Sequence, residues 1–250
     1  MLIAVMNAKG GAGKTSTTVN LAAVLASRRK RVLVVDMDGQ CSATSWLGVD
    51  PDGQGLYERI MAGSSLRQLV RPSNTAGVDL VPSCTWMSGI EAGIGQTRKG
   101  PSLVTQALQT LPTGYDVTLV DCPPAVGLVT VGTLLAADRV IIPTEPAAMA
   151  LQGLFHMDDV LAEVRKTNSE LDLLGVLVNR ADRRRRVTRD TQDALRERYG
   201  RKVFTAVIRS STRMAEAPSW RQPITHYAPA SGVAGDYLDL GREVLRRIKG

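Results

Sequence analysis

A chain of 250 residues, 44% hydrophobic but only 4% aromatic, is long enough for one large α/β domain whose core is built from Val, Leu, Ile and Ala. No run of about 18 apolar residues occurs, and the opening "MLIAVM" has no basic lead, so neither a membrane span nor a secretory signal is expected, and a cytoplasmic protein is. The net charge of +7 is uneven: between Arg180 and Arg213, twelve Arg and Lys stand against four Asp and Glu, a net of +8 that leaves about −1 for the rest.

The first apolar run, Leu2–Met6, reads as a strand and passes directly into "AKGGAGKT", residues 8–15. A helix follows from Thr15 to Ser27, with Val19, Ala22, Ala23 and Ala26 on one face and the basic "RRKR" at its end. The next strand, "RVLVVD", delivers Asp36 and, two residues on, Asp38. Residues 51–100 are dense in Gly and Ser and are the least periodic part; apart from the run "VDLVP" they are assigned no detailed structure. A helix opens at Pro101, and the strand "VTLVD" ends on Asp121. The strand "RVIIP" is followed by a helix over 151–167 with Leu151, Leu154, Met157 and Leu161 at helical spacing. The strands "LLGVLVN" and "VFTAVI" flank the basic segment, and a helix from about Ser231 to Lys249 ends the pattern. Continuous rather than alternating apolar runs indicate strands buried on both faces. Their alternation with helices predicts a doubly wound, mostly parallel α/β sheet with helices on both faces, as a single domain over 1–250.

Cys41, Cys84 and Cys122 contain no CxxC pair, and His156 and His226 are far apart, so reduced thiols without a disulfide framework or a metal centre are expected. The concentration of nearly all the basic excess in one segment favours a polyanion-binding surface over an ordinary solvated helix face.

Strand, glycine-rich turn and helix start are the context of a phosphate-binding loop. Gly10, Gly11, Ala12 and Gly13 let backbone N–H groups close around a phosphate where larger side chains would block the approach. Lys14 then reaches the β- and γ-phosphates, and the Thr15 hydroxyl is placed to ligate Mg²⁺. Ala8 stands where a strict pattern has glycine, and Lys9 is a lysine more than the phosphates of one nucleotide require. Magnesium-dependent phosphoryl transfer also needs carboxylates at the carboxyl ends of strands, where Asp36, Asp38 and Asp121 are expected.

"KGGAGKTS", "VLVVDMDGQCSAT", "VDCPPAVG", "PTEPAAMALQGL", "AEAPSWRQPITHYAP" and "YLDLGREV" together resemble the ParA/Soj partition ATPases, relatives of MinD and of the nitrogenase iron protein, over nearly the whole chain and in family order. The resemblance implies ATP and Mg²⁺ as ligands, with Lys9 through Ser16 around the nucleotide. It implies that Lys9 crosses the interface of an ATP-bound homodimer to the partner's phosphates, and that Asp38 orients the attacking water. Asp36 is expected beside the Mg²⁺ shell, Asp121 as a holder of Mg²⁺, Asn179 at the adenine, and Ser211 as a further base contact. Arg184 and Arg213 match DNA-binding positions of the family's chromosomal members, and both fall in the basic segment found by charge alone. Gly39 stands where the family has proline, loosening the loop behind Asp38, and Arg209 stands where proline flanks the adenine.

The function expected from this resemblance is a nucleoid-associated, cytoplasmic DNA-partition ATPase. Its ATP-driven dimer binds DNA without sequence preference, and slow hydrolysis, stimulated by a ParB-type centromere-binding protein, releases it. With a strand beginning at Leu2, no preceding helix-turn-helix domain is expected. Two alternatives stay open: a ParA-like ATPase that positions a cargo other than DNA, and a MinD-like membrane-cycling ATPase. The second would use the apolar Leu238, Val244, Leu245 and Ile248 as an amphipathic anchor. No stable membrane anchor is expected, because that stretch coincides with the family's domain-packing helix. An iron–sulfur electron donor is disfavoured for want of cysteine ligands.

Overall fold

The computed structural model describes the chain except Asp52, Gln54, Ala148, Met149, Arg183 and Gly250, and only the backbone at 150–152. The Leu151 side chain and Arg183, both used in the sequence reading, therefore lie outside the described residues. In chain order the elements are β1 (Leu2–Val5), α1 (Lys14–Ser27), β2 (Val32–Asp36), α2 (Ser42–Trp46), α3 (Gly55–Ala62), β3 (Arg71–Pro72) and β4 (Val78–Val81). There follow α4 (Ile90–Gly95), α5 (Ser102–Gln109), β5 (Val117–Asp121), α6 (Leu128–Ala136), β6 (Arg139–Thr144) and α7 (Ala150–Arg165). The last are β7 (Asp172–Ala181), α8 (Arg186–Tyr199), β8 (Val203–Arg209), α9 (Thr212–Glu216), α10 (Ile224–Tyr227) and α11 (Gly232–Arg247).

Among the described residues the strands form one eight-stranded sheet in the order β3-β4-β2-β5-β1-β6-β7-β8. All pairings are parallel except β3 with β4. The continuous apolar runs have a direct cause in the alternation of side chains along a strand. Ala4, Leu33, Val35, Val120, Val140 and Ile142 enter one core layer, while Ile3, Val32, Val34, Leu119 and Ile141 enter the layer on the opposite face. Both faces are covered, so neither can be polar.

The chain fills β2 and β5 on one side of β1 and then β6, β7 and β8 on the other. The reversal falls beside β1, the strand that feeds the glycine loop. In such sheets the crevice outside the carboxyl ends of the strands at the reversal is where ligands bind.

Two expectations change. The first helix does not bury one face: every residue from Thr17 to Leu25 is buried, because α1 lies between the sheet and α11. The region 51–100 is not shapeless either. It carries α3, α4, β4 and a short 3₁₀ turn at Thr85–Gly89, with β3 as a two-residue antiparallel edge that no periodicity announces. The C-terminal helix spends its apolar side on the core: Tyr237, Leu240 and Val244 are buried, and Leu238, Leu245 and Ile248 pack against the same layer. Among the described residues no helix is long and apolar enough to cross a membrane.

The contact of α1 with α11 depends on Gly241, where a Cβ would stand 2.3 Å from Cγ1 of Val24. Gly241→Ala should therefore cost about 1–3 kcal/mol by overpacking. A thermal melt lowered by several degrees, with the fold otherwise retained by circular dichroism, is the expected reading.

Candidate nucleotide site and basic surface

The glycine loop turns by backbone conformations that side chains resist. Gly11 and Gly13 have φ of 77° and 90°, in the left-handed region. A Cβ on Gly13 would lie 2.1 Å from Nδ2 of Asn179, so that glycine is required by both conformation and space. Asn179 itself is buried; its amide donates to the Gly13 carbonyl at 3.4 Å and to Thr17 Oγ1 at 3.3 Å. In this structure it braces the loop.

The loop opens into a cleft of about 630 Å³ lined by Gly10, Gly11, Gly13, Lys14, Thr15 and Ser16, with Asp38, Asn179 and Ser211 also on its walls. Ala12 is fully buried and is not among the residues that line the cleft. Ser16 Oγ donates to the Gly13 carbonyl at 3.2 Å, and Ser211 is the residue that precedes α9.

Asp36 and Asp121 are register partners at the ends of β2 and β5, and both are buried. Asp121 accepts from Thr15 Oγ1 at 2.7 Å and from Thr18 Oγ1 at 3.3 Å. Asp36 accepts from the Thr44 N–H at 2.8 Å, Thr44 Oγ1 at 2.7 Å and the Asp38 N–H at 3.1 Å. Its two oxygens thus hold α2 and the Asp38 loop in place. Burial is the main reason that Asp36 is pushed up to about 6, against the Thr44 and Asp38 hydrogen bonds. Burial, with the Asp36 charge adding to it, raises Asp121 well above the usual carboxylate range. Burial likewise lowers Lys14, and the Asp121 charge opposes that shift. A divalent cation relieves such a site, since two neighbouring carboxylates and a hydroxyl are the hard oxygen donors that Mg²⁺ accepts.

The loop behind Asp38 is not loosened by Gly39. A Cβ there would stand 2.5 Å from the Ser88 nitrogen, so the glycine lets the 3₁₀ turn pack directly on the loop. Ser83 Oγ and the Cys41 N–H both donate to the Asp38 carbonyl, at 2.7 and 2.9 Å, and the Gln40 N–H donates to Asp38 Oδ1 at 3.0 Å. Cys41, Cys84 and Cys122 are buried free thiols.

Lys9 projects from the loop with its side chain 57% exposed, and its Nζ lies 3.4 Å from Glu145 Oε2. Arg180 Nη1 donates to Oε1 of the same carboxylate at 2.8 Å and to the Gly11 carbonyl at 3.4 Å. The sequence gives neither Glu145 nor Arg180 a role at the loop; they reach it because β6 adjoins β1 and β7 adjoins β6 in the sheet. An exposed pair of this kind is worth at most about 1 kcal/mol and is readily exchanged.

The basic segment is less cationic than its count. Arg180, Arg198, Lys202 and Arg209 are paired with acids from elsewhere in the chain, Glu145, Asp158, Asp172 and Asp236. Arg185, Arg186 and Arg196 pair within the segment. Among the described residues of the segment, Arg184, Arg189, Arg201 and Arg213 make no ion pair. Arg184 and Arg213 are exposed just beyond the carboxyl ends of the adjacent strands β7 and β8. A second cavity of about 520 Å³, lined by Arg184 and Arg185, shares Arg180, Arg209 and Ser210 with the nucleotide cleft.

Strand, glycine turn and helix, with acids at the ends of the flanking strands, define a P-loop NTPase fold with a mostly parallel sheet. A family profile described as an AAA domain matches residues 1–173. The chromosome-partitioning ATPase Soj of Thermus thermophilus is 39% identical over 248 residues, covering 99% of this chain and 96% of the relative. The sporulation initiation inhibitor protein Soj of Bacillus subtilis is 35% identical over 246 residues, 97% of each chain. Among solved structures, cobyrinic acid a,c-diamide synthase from Mycobacterium smegmatis with bound ADP and magnesium superposes with a TM-score of 0.84 at 28% identity, covering 100% of this chain and 95% of that one. The chain belongs to the ParA/Soj family of chromosome-partitioning ATPases.

The buried acids give a pH dependence of defined sign. Asp36 has a higher pKa folded, about 6, than its ordinary value of 3.8, so the native state holds a proton that the unfolded chain has released. The stability linked to it is complete below the unfolded pKa and is lost as pH rises through about 6. In EDTA, Asp36→Asn should narrow the melting-temperature difference between pH 5 and pH 7.5 relative to the unsubstituted protein. An identical pH profile in the two proteins would contradict the assignment.

Proposed function

We propose that this chain is an ATP-dependent DNA-partition ATPase whose nucleotide-bound homodimer binds DNA without sequence preference. The observation that carries the reading is the joining of two surfaces. A phosphate loop opens into the cleft, and the adjoining cavity is lined by Arg184, one of the arginines left without an ion pair.

In this reading the backbone of Gly10–Gly13 cradles the phosphates, and Lys14, already partly desolvated, places its charge against the β- and γ-phosphates. Thr15 and Asp121 would hold Mg²⁺ at the loop, with Asp36 behind them. When bound, the metal neutralises the charge that develops on the transferred phosphoryl group. Asp38, whose Oδ1 is taken by the Gln40 N–H, orients the attacking water with Oδ2. Ser16 and Asn179 support the loop and the base end of the cleft, and Ser211 adds a hydroxyl there. Lys9 leaves Glu145 to reach the phosphates of a second subunit, which makes nucleotide binding and dimerisation a single event. Arg184 and Arg213 supply phosphate contacts to DNA, so affinity falls steeply with salt. A ParB-type partner would accelerate hydrolysis, and the ATP-bound form would be found on the nucleoid.

Three variants test the roles separately. Lys14→Ala should abolish nucleotide binding in calorimetry. Asp38→Ala should bind ATP and dimerise yet hydrolyse it at least about tenfold more slowly; loss of ATP binding would count against the water-orienting role. Arg184→Ala with Arg213→Ala should reduce DNA retention on all sequences alike and lower the salt slope by about two, with basal ATP turnover as in the unsubstituted protein. Unchanged DNA retention would remove the basic surface from the reading.

A further inference from the structure

Two loops at the ends of neighbouring strands contribute to the cleft. One follows β2 and carries Asp38; the other, residues 122–127, follows β5 and lines the cleft with Pro124. Residues 83–91 touch both loops, yet none of them lines the cleft. At one end of this stretch Ser83 Oγ donates to the Asp38 carbonyl at 2.7 Å, and the Ser88 backbone packs on Gly39. At the other end Glu91, the second residue of α4, accepts from the Leu128 N–H at 2.7 Å and from the Val129 N–H at 3.0 Å, one on each carboxylate oxygen.

Leu128 and Val129 are the first two residues of α6, whose N–H groups have no partner within the helix. The helix has no side-chain cap of its own at Gly127. A negative charge from another element takes that place, favoured by the dipole of α6. Gly127 admits it, since a Cβ there would lie 2.4 Å from Glu91 Oε1. The connection between the two ends is stiff: the 3₁₀ turn Thr85–Gly89 runs directly into α4, and Met87, Ile90 and Ile94 are buried in the core. On the far side Thr130 Oγ1 donates to the Ala125 carbonyl at 2.6 Å, and the Val131 N–H donates to the Gly127 carbonyl at 2.9 Å. The 122–127 loop is therefore tied to the start of α6, and Glu91 holds them both.

We propose that Glu91 is a positioning residue for ATP hydrolysis: through residues 83–91 it sets the 122–127 loop against the Asp38 loop, so that the two move as one body. The inference rests on the hydrolytic role given above to Asp38 and deepens it. A small misplacement of reacting groups slows chemistry far more than it weakens binding, so Glu91 governs turnover and not nucleotide affinity.

Hydrogen exchange of the nucleotide-free full chain, followed by ATP turnover, tests this with Glu91→Ala and Gly39→Ala. A cap that served α6 alone would, on removal, speed exchange over residues 122–131 only. Glu91→Ala should speed exchange over residues 37–44 as well, with which Glu91 shares no bond, and Gly39→Ala should speed it over 122–131. Glu91→Ala should also hydrolyse ATP about tenfold more slowly, while its affinity for a non-hydrolysable ATP analogue stays within about twofold. Unchanged exchange over 37–44 in Glu91→Ala, undiminished turnover, or a loss of affinity as large as the loss of turnover would each overturn the proposal. If a melting curve shows that Glu91→Ala does not fold, the same readings on Glu91→Gln decide, since that variant keeps the shape and gives up the charge and one acceptor oxygen. Unsubstituted protein that binds ATP but does not hydrolyse it would overturn the hydrolytic reading itself, an outcome distinct from exchange that fails to spread between the loops.

Discussion

Asp36 and Asp121 stand side by side at the ends of two neighbouring parallel strands, out of contact with water and next to the Lys14 ammonium. Two buried carboxylates of like charge are costly, and the surrounding structure is arranged to meet that cost. Thr15 and Thr18 on α1 donate to one, and Thr44 and the Asp38 backbone donate to the other. Through these bonds the acids fix the start of α1, the position of α2 and the loop that carries Asp38. The position of the glycine loop relative to the sheet follows from the same contacts. Such a pair in an otherwise aliphatic core is a set of hard oxygen donors whose charge a divalent cation would balance.

Glycine supplies the second constraint, through close approach more than through freedom. Gly13 lies against Asn179, Gly39 against Ser88, Gly232 against Arg209 and Gly241 against Val24. Each contact joins two parts of the chain distant in sequence, and three of them border the cleft. At these points the packing is close enough that a single methyl group is felt.

Much of this was legible in the sequence because its cause is local. A strand buried on both faces must be apolar throughout, so seven of the strands read directly as aliphatic runs, and the acids at the ends of β2 and β5 followed. The loop from Ala8 to Thr15 was equally plain, since its glycines answer to the chemistry of one ligand. What was not legible depends on tertiary partners. The burial of α1 on all sides needs α11, which lies about two hundred residues away in the chain. The basic segment counted +8 in sequence, but Glu145, Asp158, Asp172 and Asp236 neutralise four of its cations across the fold. Gly39 suggested a loose loop because Ser88, its packing partner, sits in a stretch without periodicity. Arg209 was visible only as a departure from proline; its bidentate bond to Asp236 required the structure.

In the proposed cycle one coupling is central: a nucleotide in the loop makes the arginine surface competent for DNA. Retention of the protein on non-specific duplex DNA, measured with ATP, with ADP and without nucleotide across a salt series, tests it directly. The account predicts strong retention with ATP alone, falling steeply as salt rises. Equal retention under all three conditions, or ATP-dependent retention indifferent to salt, would contradict it.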